Sequence, residues 1–343
     1  MRTLLLYIVF FAGYTESVQS QPDPWIITAN NINPSDYYSV TVANGMIGIV
    51  SSPEHFKVKD VVLAGTYDLY DIGRVSNFID SFKLLNMRLD INGIRVDART
   101  IENFKQELNM HDGAFSNSFE YGDQASIRYS YYALRHLPFT VLMEVTITAK
   151  KDLSIIVSSV MEAPEALRVV QNYYNQIVRP HVTIGLLTST AKSPTGKLQL
   201  CASTCFLFNE PHQLEPQVIH EMWDNNLHLM KFDKMVKAGQ SYTFSIAGSS
   251  ISSAHDDDPL NEAERLTIFA KLEGHDRLLE FHKKAWLKEK GWHKSLFRNW
   301  SWRNHTKFAD GFRGARYYSN WYQSSKKCPP NCMEIGKNHV SRT

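Results

Sequence analysis

Several histidines in this sequence lie beside carboxylates or other histidines, the pairing that acid–base and metal chemistry use. His111-Asp112 precedes Gly113, and an ordinary turn is the favoured interpretation, although both side chains could reach a bound substrate. The segment from His255 to Asp258 offers hard oxygen ligands for calcium but lacks the spacing and the glycine of a calcium-binding loop. We therefore expect it to cap the helix that follows.

The remaining histidines give no stronger signal. His212 and His220 are better interpreted as surface residues than as a metal pair. A mutarotase-like epimerase needs a histidine acid and a carboxylate base, and His111, His136 and His181 are available, but no motif selects one of them. The sequence therefore predicts no catalytic, cofactor-binding or metal-binding residue.

The C-terminal segment is basic and rich in tryptophan. Residues 288–343 contain twelve Lys and Arg against three acidic residues, whereas the chain as a whole has a net charge of +2. Four tryptophans could stack on sugars or on single-stranded bases. They are Trp292, Trp300, Trp302 and Trp321. The segment shows no periodicity and no helix caps, so we interpret residues 291–343 as an atypical tail, non-native or disordered, and expect no nucleic-acid partner. Sequons at Asn299 and Asn304 matter only in a eukaryotic source.

The elements that would position any site are mostly strands. Residues 25 to 250 contain roughly fifteen strand-like runs, and only residues 163–174 could instead be helical. Asn44-Gly45 and Asn92-Gly93 are typical of hairpin turns. Residues 87–91 alternate apolar and polar side chains, as in a strand with one wet face. The sequence predicts a mainly β fold with a large, antiparallel, two-sheet sandwich.

Two helices should follow the sandwich. Asp258 is the candidate N-cap of the first, with Pro259 in its first turn and Gly274 as its stop. Its apolar stripe is Leu266, Phe269 and Leu272. The second helix, within residues 275–290, should bury apolar side chains on one side. These are Leu278, Leu279, Phe281, Ala285 and Trp286.

The first residues resemble a secretory signal. Arg2 precedes an apolar run from Leu4 to Ala12, which is too short to span a bilayer. We expect cleavage before Gln21, a secreted or periplasmic product and no later membrane segment. The predicted organisation is a signal peptide at 1–20, a β domain at 21–253, a helical linker at 254–290 and the tail at 291–343.

The four cysteines do not form a disulfide scaffold. Cys201 and Cys205 lie on one strand at about 13 Å from each other, beyond the roughly 7 Å that a disulfide allows between Cα atoms. They are best interpreted as inert buried thiols. Cys328 and Cys332 could close a local loop, and a zinc site joining both pairs is disfavoured by its spacing.

Five segments, in order, resemble the N-terminal half of glycoside hydrolase family 65. They are NGMIG (44–48), LAGTYD (63–68), the stretch from VSNF (75–78) to LDING (89–93), LNMHDG (108–113), and the two helical segments from AERL (263–266) to HKKAW (282–286). No single motif decides the matter. Their order and spacing over residues 25 to 287 carry the resemblance.

The resemblance implies a fold and a chemistry. Family 65 enzymes join a super-sandwich, related to galactose mutarotase-like sandwiches, to an (α/α)6 barrel through linker helices. They act with inversion on α-linked glucosides such as trehalose, maltose, kojibiose or nigerose. A barrel glutamic acid protonates the leaving oxygen, while a carboxylate activates water in the hydrolases and phosphate attacks in the phosphorylases. The implied partner is thus an α-glucoside or another carbohydrate.

The sequence departs from the resemblance after Trp286, where a barrel should begin. Residues 223–226, WDNN, lie inside the β region and do not match the family's sugar-binding segment, and Glu221 beside them is interpreted as a solvated strand-edge charge. We therefore expect a secreted N-terminal portion of a family 65 hydrolase that is inactive alone. The alternatives are a non-catalytic carbohydrate-binding sandwich and a mutarotase-like epimerase.

Overall fold

The computed structural model describes residues 23–69, 76–224 and 227–297. These residues form eighteen strands and two long helices. The strands are β1 (Ile26–Ala29), β2 (Thr41–Ala43), β3 (Ile47–Ser51), β4 (Val58–Leu69), β5 (Ser76–Asp80), β6 (Lys83–Ile91), β7 (Ile94–Arg95), β8 (Glu102–Asn109), β9 (Ala114–Tyr121), β10 (Ala125–Ala133), β11 (Thr140–Ala149), β12 (Leu153–Glu162), β13 (Arg168–Arg179), β14 (Val182–Lys192), β15 (Gln199–Phe208), β16 (Ile219–Asp224), β17 (Leu227–Val236) and β18 (Ser241–Ser252). The helices are α1 (Pro259–Glu273) and α2 (His275–Phe297).

The strands pair into three antiparallel sheets. The largest has nine strands in the order β1-β8-β9-β10-β11-β18-β15-β14-β13. A five-stranded sheet has the order β16-β17-β12-β6-β7, and a four-stranded sheet has the order β2-β3-β4-β5. The predicted hairpins are present, since β2 pairs with β3 around Asn44 and β6 pairs with β7 around Asn92-Gly93. Asn92 and Gly93 both have positive φ, as a two-residue hairpin turn of this kind requires.

The two smaller sheets lie side by side and together form one layer facing the nine-stranded sheet. Asn86 on β6 accepts a 2.9 Å hydrogen bond from the Val58 backbone of β4, which joins the two small sheets. Phe56 donates its backbone N–H to the Tyr129 hydroxyl of β10 in the facing layer. The predicted sandwich is therefore confirmed as two layers, and the second layer is divided into two sheets.

The core lies between these layers and follows the strand alternation. On β6, Met87, Leu89 and Ile91 are buried, whereas Arg88 and Asp90 between them are partly exposed. An aromatic group built from Phe206, Phe232 and Phe244 joins the two layers, with ring centroids 4.9–6.4 Å apart. Burial of these rings contributes to the stability of this end of the sandwich.

Both helices pack on the outer face of the nine-stranded sheet. Asp258 caps α1 by accepting from the Asn261 backbone, Pro259 is the first residue of the helix, and Gly274 follows its end, as predicted. Ala270 of α1 and Leu278 of α2 are fully buried against this face. Leu272, predicted to lie in the apolar stripe, is instead 45% exposed. α2 continues to Phe297.

The structure decides one alternative that the sequence left open. Residues 163–174 could have been helical, but Arg168–Arg179 form β13, the edge strand paired with β14. From Val170 to Tyr174 alternate side chains of β13 are partly buried and those between them are exposed, and Ile177 is partly buried on the face that the helices cover. Pairing with β14 stabilises the extended conformation of this segment more than its local preference for a helix opposes it. Among the described residues, no helix is both long enough and apolar enough to cross a membrane.

Candidate functional site

The predicted residues His111 and Asp112 lie in the turn between β8 and β9. The His111 Nε2 atom is 2.9 Å from an Asp23 carboxylate oxygen, and the His111 ring packs against Trp25 with centroids 5.8 Å apart. Asn109 accepts hydrogen bonds from the backbone N–H groups of both His111 and Asp112. These contacts are those of an ordered turn, the favoured interpretation.

The Asp112 backbone carbonyl is a docking point for α2. His282, which is 1% exposed, donates from Nε2 to this carbonyl at 2.7 Å. Its Nδ1 atom accepts from the Arg135 backbone N–H at 3.0 Å. Burial lowers the pKa of His282, so the ring is neutral and both nitrogens are used. A single histidine therefore ties α2 to two loops of the nine-stranded sheet.

Trp286, one turn further along α2, packs directly on Gly113. A Cβ atom at Gly113 would lie 2.4 Å from the Trp286 indole nitrogen, so only glycine fits here, where φ is also +59°. The Arg135 guanidinium lies 5.6 Å from the Trp286 ring centre and donates to the Asn44 carbonyl at 2.6 Å. The Asn44 side chain in turn donates to the Leu134 carbonyl at 2.9 Å. We call Asn44, Gly113, Arg135, His282 and Trp286 the helix-docking junction.

His136 lies beside this junction. Its ring packs edge-on against Phe281 of α2, with centroids 5.7 Å apart. Burial and the neighbouring His282 lower the His136 pKa to about 4. Neither ring nitrogen has a hydrogen-bond partner among the described residues. A histidine kept neutral in this way is poorly suited to donate a proton near neutral pH.

The His255–Asp258 segment is a structural connection. Asp258 caps α1, and the His255 ring hydrogen-bonds the Ser252 hydroxyl at 2.9 Å and the Ala64 carbonyl. His181 is exposed at the turn between β13 and β14. Within the described ranges, no group of three or more His, Cys, Asp or Glu is arranged to hold a metal ion.

The structure gives His220 an unpredicted neighbourhood. The rings of His220 on β16 and Tyr174 on β13 stack in parallel, with centroids 4.7 Å apart and an interplanar angle of 1°. His228 on β17 meets His220 edge-on at 5.7 Å. The His228 Nε2 atom lies 2.8 Å from the Ser189 hydroxyl, which donates onward to Asn172 at 2.8 Å. We call Tyr174, His220 and His228 the ring stack.

Sequence reasoning missed both His228 and Tyr174, although a local signal for His228 exists. In LHLMKF, His228 is in phase with Met230 and Phe232, which both point into the core. A histidine on the apolar face of a strand must be buried, and burial lowers the His228 pKa to about 3. The stacking of Tyr174 on His220 has no local signal because these two residues lie in different sheets.

A cavity of about 250 Å³ lies beside the ring stack. Its walls come from the inner faces of β13, β14 and β15, from the β15–β16 connection, and from α1. The lining residues are Gln176, Thr183, Gly185, Phe206, Phe208, His212, Glu215, Pro216, Gln217, Val218 and Lys271. Glu215 is the carboxylic acid in this lining, and it forms a 3.0 Å ion pair with Lys271. His212, predicted as a surface residue, is only partly exposed and lies 4.0 Å from Glu215.

Other predicted residues have structural roles. Glu221 lies on β16, the edge strand of its sheet, where it is partly exposed and pairs with Lys231. The Arg88 guanidinium lies 3.9 Å from the Trp223 ring centre. Cys201 and Cys205 are buried free thiols on β15, as predicted, and burial raises the pKa of each to about 12.

Several predictions fall outside the described residues. They concern the signal at 1–20, residues 225 and 226, Trp300, Trp302, Trp321, Asn299, Asn304, Cys328 and Cys332. The Trp292 side chain also lies outside the described part of α2. These remain predictions.

Known proteins similar to this chain agree on one family. The family described as "Glycosyl hydrolase family 65, N-terminal domain" matches residues 38–288. The chain is 62% identical over 282 residues to a kojibiose hydrolase of Mucilaginibacter mallensis, covering 82% of this chain and 42% of that enzyme. It is 53% identical over 264 residues to a kojibiose hydrolase of Flavobacterium johnsoniae, covering 77% of this chain and 39% of that enzyme. The chain thus spans well under half the length of these curated relatives.

A solved structure shows the same fold. It is a candidate kojibiose phosphorylase from human microbiome, which superimposes with a TM-score of 0.58 at 15% identity over 78% of this chain and 38% of that one. At this identity the likeness concerns the fold alone. The match over residues 38–288 and the two relatives establish the family. The chain belongs to glycoside hydrolase family 65 and contains its N-terminal domain.

Proposed function

We propose that this chain supplies the non-catalytic N-terminal domain of a hydrolase that cleaves α-linked glucosides of the kojibiose or trehalose type with inversion. The observation that carries the proposal is the 62% identity over 282 residues to a kojibiose hydrolase. The substrate class and the stereochemistry are proposed for the enzyme to which the domain contributes. We propose that the domain alone does not hydrolyse them.

The chemistry of the cavity supports a non-catalytic role. Inverting hydrolysis needs two carboxyl groups about 6.5–9.5 Å apart, one as acid and one as base. The cavity lining contributes a single carboxyl group, Glu215, and its charge is already balanced by Lys271 at 3.0 Å.

The helix-docking junction suggests how the domain would serve an enzyme. His282 and Trp286 fix α2 against loops of the nine-stranded sheet, through two hydrogen bonds to partly buried backbone groups and one close ring contact. A helix held at several points in this way can set the position of whatever the chain connects to it. We therefore infer that the sandwich and α2 act as one rigid support.

The proposal is tested with the chain itself and with a chimera. The purified chain should release no glucose from kojibiose or trehalose above a blank. A chimera that carries residues 23–287 of this chain in place of the matching part of the Mucilaginibacter mallensis enzyme should hydrolyse kojibiose, with the unmodified enzyme as control.

Two results would contradict the proposal, each in a different part. Glucose release by the chain alone would show that the domain is catalytic. A chimera that is folded and monodisperse but inactive would show that this domain does not serve a kojibiose-type hydrolase.

A further inference from the structure

The longest edge strand of the sandwich lacks the usual protection against pairing with another chain. Among the described residues the three sheets end in six edge strands, which are β1, β2, β5, β7, β13 and β16. Five of them have two to six residues, whereas β13 has twelve, and none of the twelve is fully buried. Proteins keep edge strands short or place charges and prolines on them, because an exposed edge can pair with a second chain. β13 has no proline, and no charged residue between Arg168 and Arg179.

Large apolar side chains are exposed along the same side of the molecule. β13 is the last strand of the nine-stranded sheet and β16 is the last strand of the five-stranded sheet, and the two strands meet where Tyr174 stacks on His220. We call these two strands the β13–β16 edge. Six of its large apolar side chains are 40–65% exposed, namely Val169, Tyr173, Val178, Ile219, Met222 and Trp223. Exposed apolar surface concentrated in this way is typical of a protein interface.

The area of the β13–β16 edge indicates the kind of partner that it fits. At about half exposure, the six apolar side chains offer on the order of 500 Å², and the backbone and polar side chains of β13 add to this. A stable interface buries roughly 800 Å² on each partner. A short extended peptide would cover β13 alone, whereas a folded chain can cover both strands. The edge therefore fits a folded partner better than a peptide.

The pairing of β13 with β14 limits the registers in which β13 can add a further strand. A bulge between Arg168 and Gln171 interrupts this pairing, so the regular part of β13 is residues 171–179. Antiparallel pairing of this part with the same part of a second copy uses all nine residues only when Asn175 lies opposite itself on a two-fold axis. The regular part of the strand therefore defines one symmetric register.

The side chains that face each other in this register are compatible. Tyr173 lies opposite Ile177 of the second copy, and an aromatic residue opposite a β-branched one stabilises an antiparallel pair. Gln171 lies opposite Arg179 of the second copy at both ends of the pairing. Arg168 lies outside the paired part, so the register brings no two like charges face to face. β13 is thus self-complementary.

We propose that β13 pairs with β13 of a second copy of this chain and joins two nine-stranded sheets into one antiparallel sheet across a two-fold axis. The exposed side chains of β16 flank this pairing in the other layer. An interface of this kind uses the same surface on both copies, as in the commonest class of soluble oligomers. The proposal concerns assembly, so it goes beyond the domain function proposed above and does not depend on it.

Sedimentation equilibrium of the purified chain, from nanomolar to high micromolar concentration, tests the dimer. We expect a monomer–dimer equilibrium with a dissociation constant in the micromolar range. Tyr173→Lys places a charge in the middle of the exposed edge and should weaken the dimer about tenfold. Tyr67→Lys is the matched control, since Tyr67 is also an exposed strand tyrosine but lies in the four-stranded sheet. It should dimerise like the wild type, and far-UV circular dichroism should show that both variants are folded.

Substitutions of Gln171, an exposed residue, test the register. Gln171→Glu places a carboxylate opposite Arg179 of the second copy and should tighten the dimer about threefold to tenfold. Gln171→Arg brings two like charges face to face and should weaken it by a similar factor. A chain that is monomeric at every concentration would overturn the proposal, as would equal effects of Tyr173→Lys and Tyr67→Lys. Shifts in the same direction for the two Gln171 variants would contradict it as well.

Discussion

The carboxylate of Asp68 shows how one side chain can hold two distant loops together. Asp68 lies near the end of β4, and its side chain is 4% exposed. It accepts from the Thr195 backbone at 2.9 Å and from the Thr195 hydroxyl at 2.7 Å, in the turn between β14 and β15. Burial alone would raise its pKa, but hydrogen bonds from Ser193 and Thr195 outweigh burial and lower the pKa to about 2. Asp68 thus joins the four-stranded sheet to the nine-stranded sheet.

Asp68→Asn should destabilise the protein, because the amide places an N–H group beside the N–H and O–H donors of Thr195. We expect the free energy of unfolding to fall by about 1.5 kcal/mol at pH 7, the size of a hydrogen bond to a charged group. The folded pKa lies below the ordinary value of 3.8, so this stabilisation is complete above pH 4 and disappears as the pH falls towards 2. Urea denaturation at several pH values measures it.

Asp123→Asn is the control for this change. Asp123 is an exposed carboxylate that pairs with Lys151 at the surface, and its substitution should affect stability much less. Equal losses in the two variants would show that the contacts of Asp68 with Thr195 contribute nothing specific.

At the scale of elements, α2 is fixed to the sandwich by close packing as well as by hydrogen bonds. Gly113 in the β8–β9 turn and Trp286 on α2 are in direct contact, with no space for a methyl group between them. His282, one turn before Trp286, holds the same turn through the Asp112 carbonyl. The two contacts together set the distance of α2 from the edge of the nine-stranded sheet.

Gly113→Ala should therefore loosen α2. The added Cβ atom would lie 2.4 Å from the Trp286 ring, and forced overpacking of this kind costs about 1–3 kcal/mol. Gly122→Ala is a matched control, since Gly122 also has a positive φ but its Cβ would meet nothing within 4 Å. It should show only the backbone cost of about 1 kcal/mol. Chemical denaturation measures both variants.

A second change separates the clash from the backbone cost. In a Trp286→Leu background, Gly113→Ala should cost no more than Gly122→Ala does, because the ring that it meets is gone. If Gly113→Ala costs the same with and without the indole, close contact with Trp286 is not what sets the position of α2.

At the scale of the whole molecule, several histidines are kept neutral by burial in the fold. Burial lowers the pKa of His55, His136, His220, His228, His255 and His282. In the unfolded chain each would have a pKa near 6.5. As the pH falls below this value, the unfolded chain binds protons that the folded protein does not, so acid favours unfolding.

The free energy of unfolding should therefore decrease from pH 6.5 to pH 4.5, by up to about 1.4 kcal/mol per pH unit for each histidine that stays neutral. His228→Gln removes one such group, whose folded pKa is about 3, and should reduce this slope by about 1.4 kcal/mol per pH unit. Met230→Ala, on the same strand, should lower stability without changing the slope. A slope that His228→Gln leaves unchanged would contradict a neutral, buried His228.

The sequence alone determined the local features of this protein. The alternation of residues 87–91, the hairpin signals at Asn44 and Asn92, and the cap at Asp258 were all predicted and are all present. Each depends on backbone preferences and side-chain periodicity within a few residues. The ordered motifs that resemble family 65 also belong to the sequence, and the comparisons confirm the family over residues 38–288.

The tertiary structure alone decided which distant groups meet. Strand periodicity says which side of a strand is buried but not which strand lies opposite, so it could not pair Tyr174 with His220 or His282 with the Asp112 carbonyl. The same limit explains why the sequence left residues 163–174 open, since their pairing with β14 outweighs a weak helical preference. The predicted turn at His111 was local and correct, while the cavity beside the ring stack depends on two sheet edges that only the folded chain brings together.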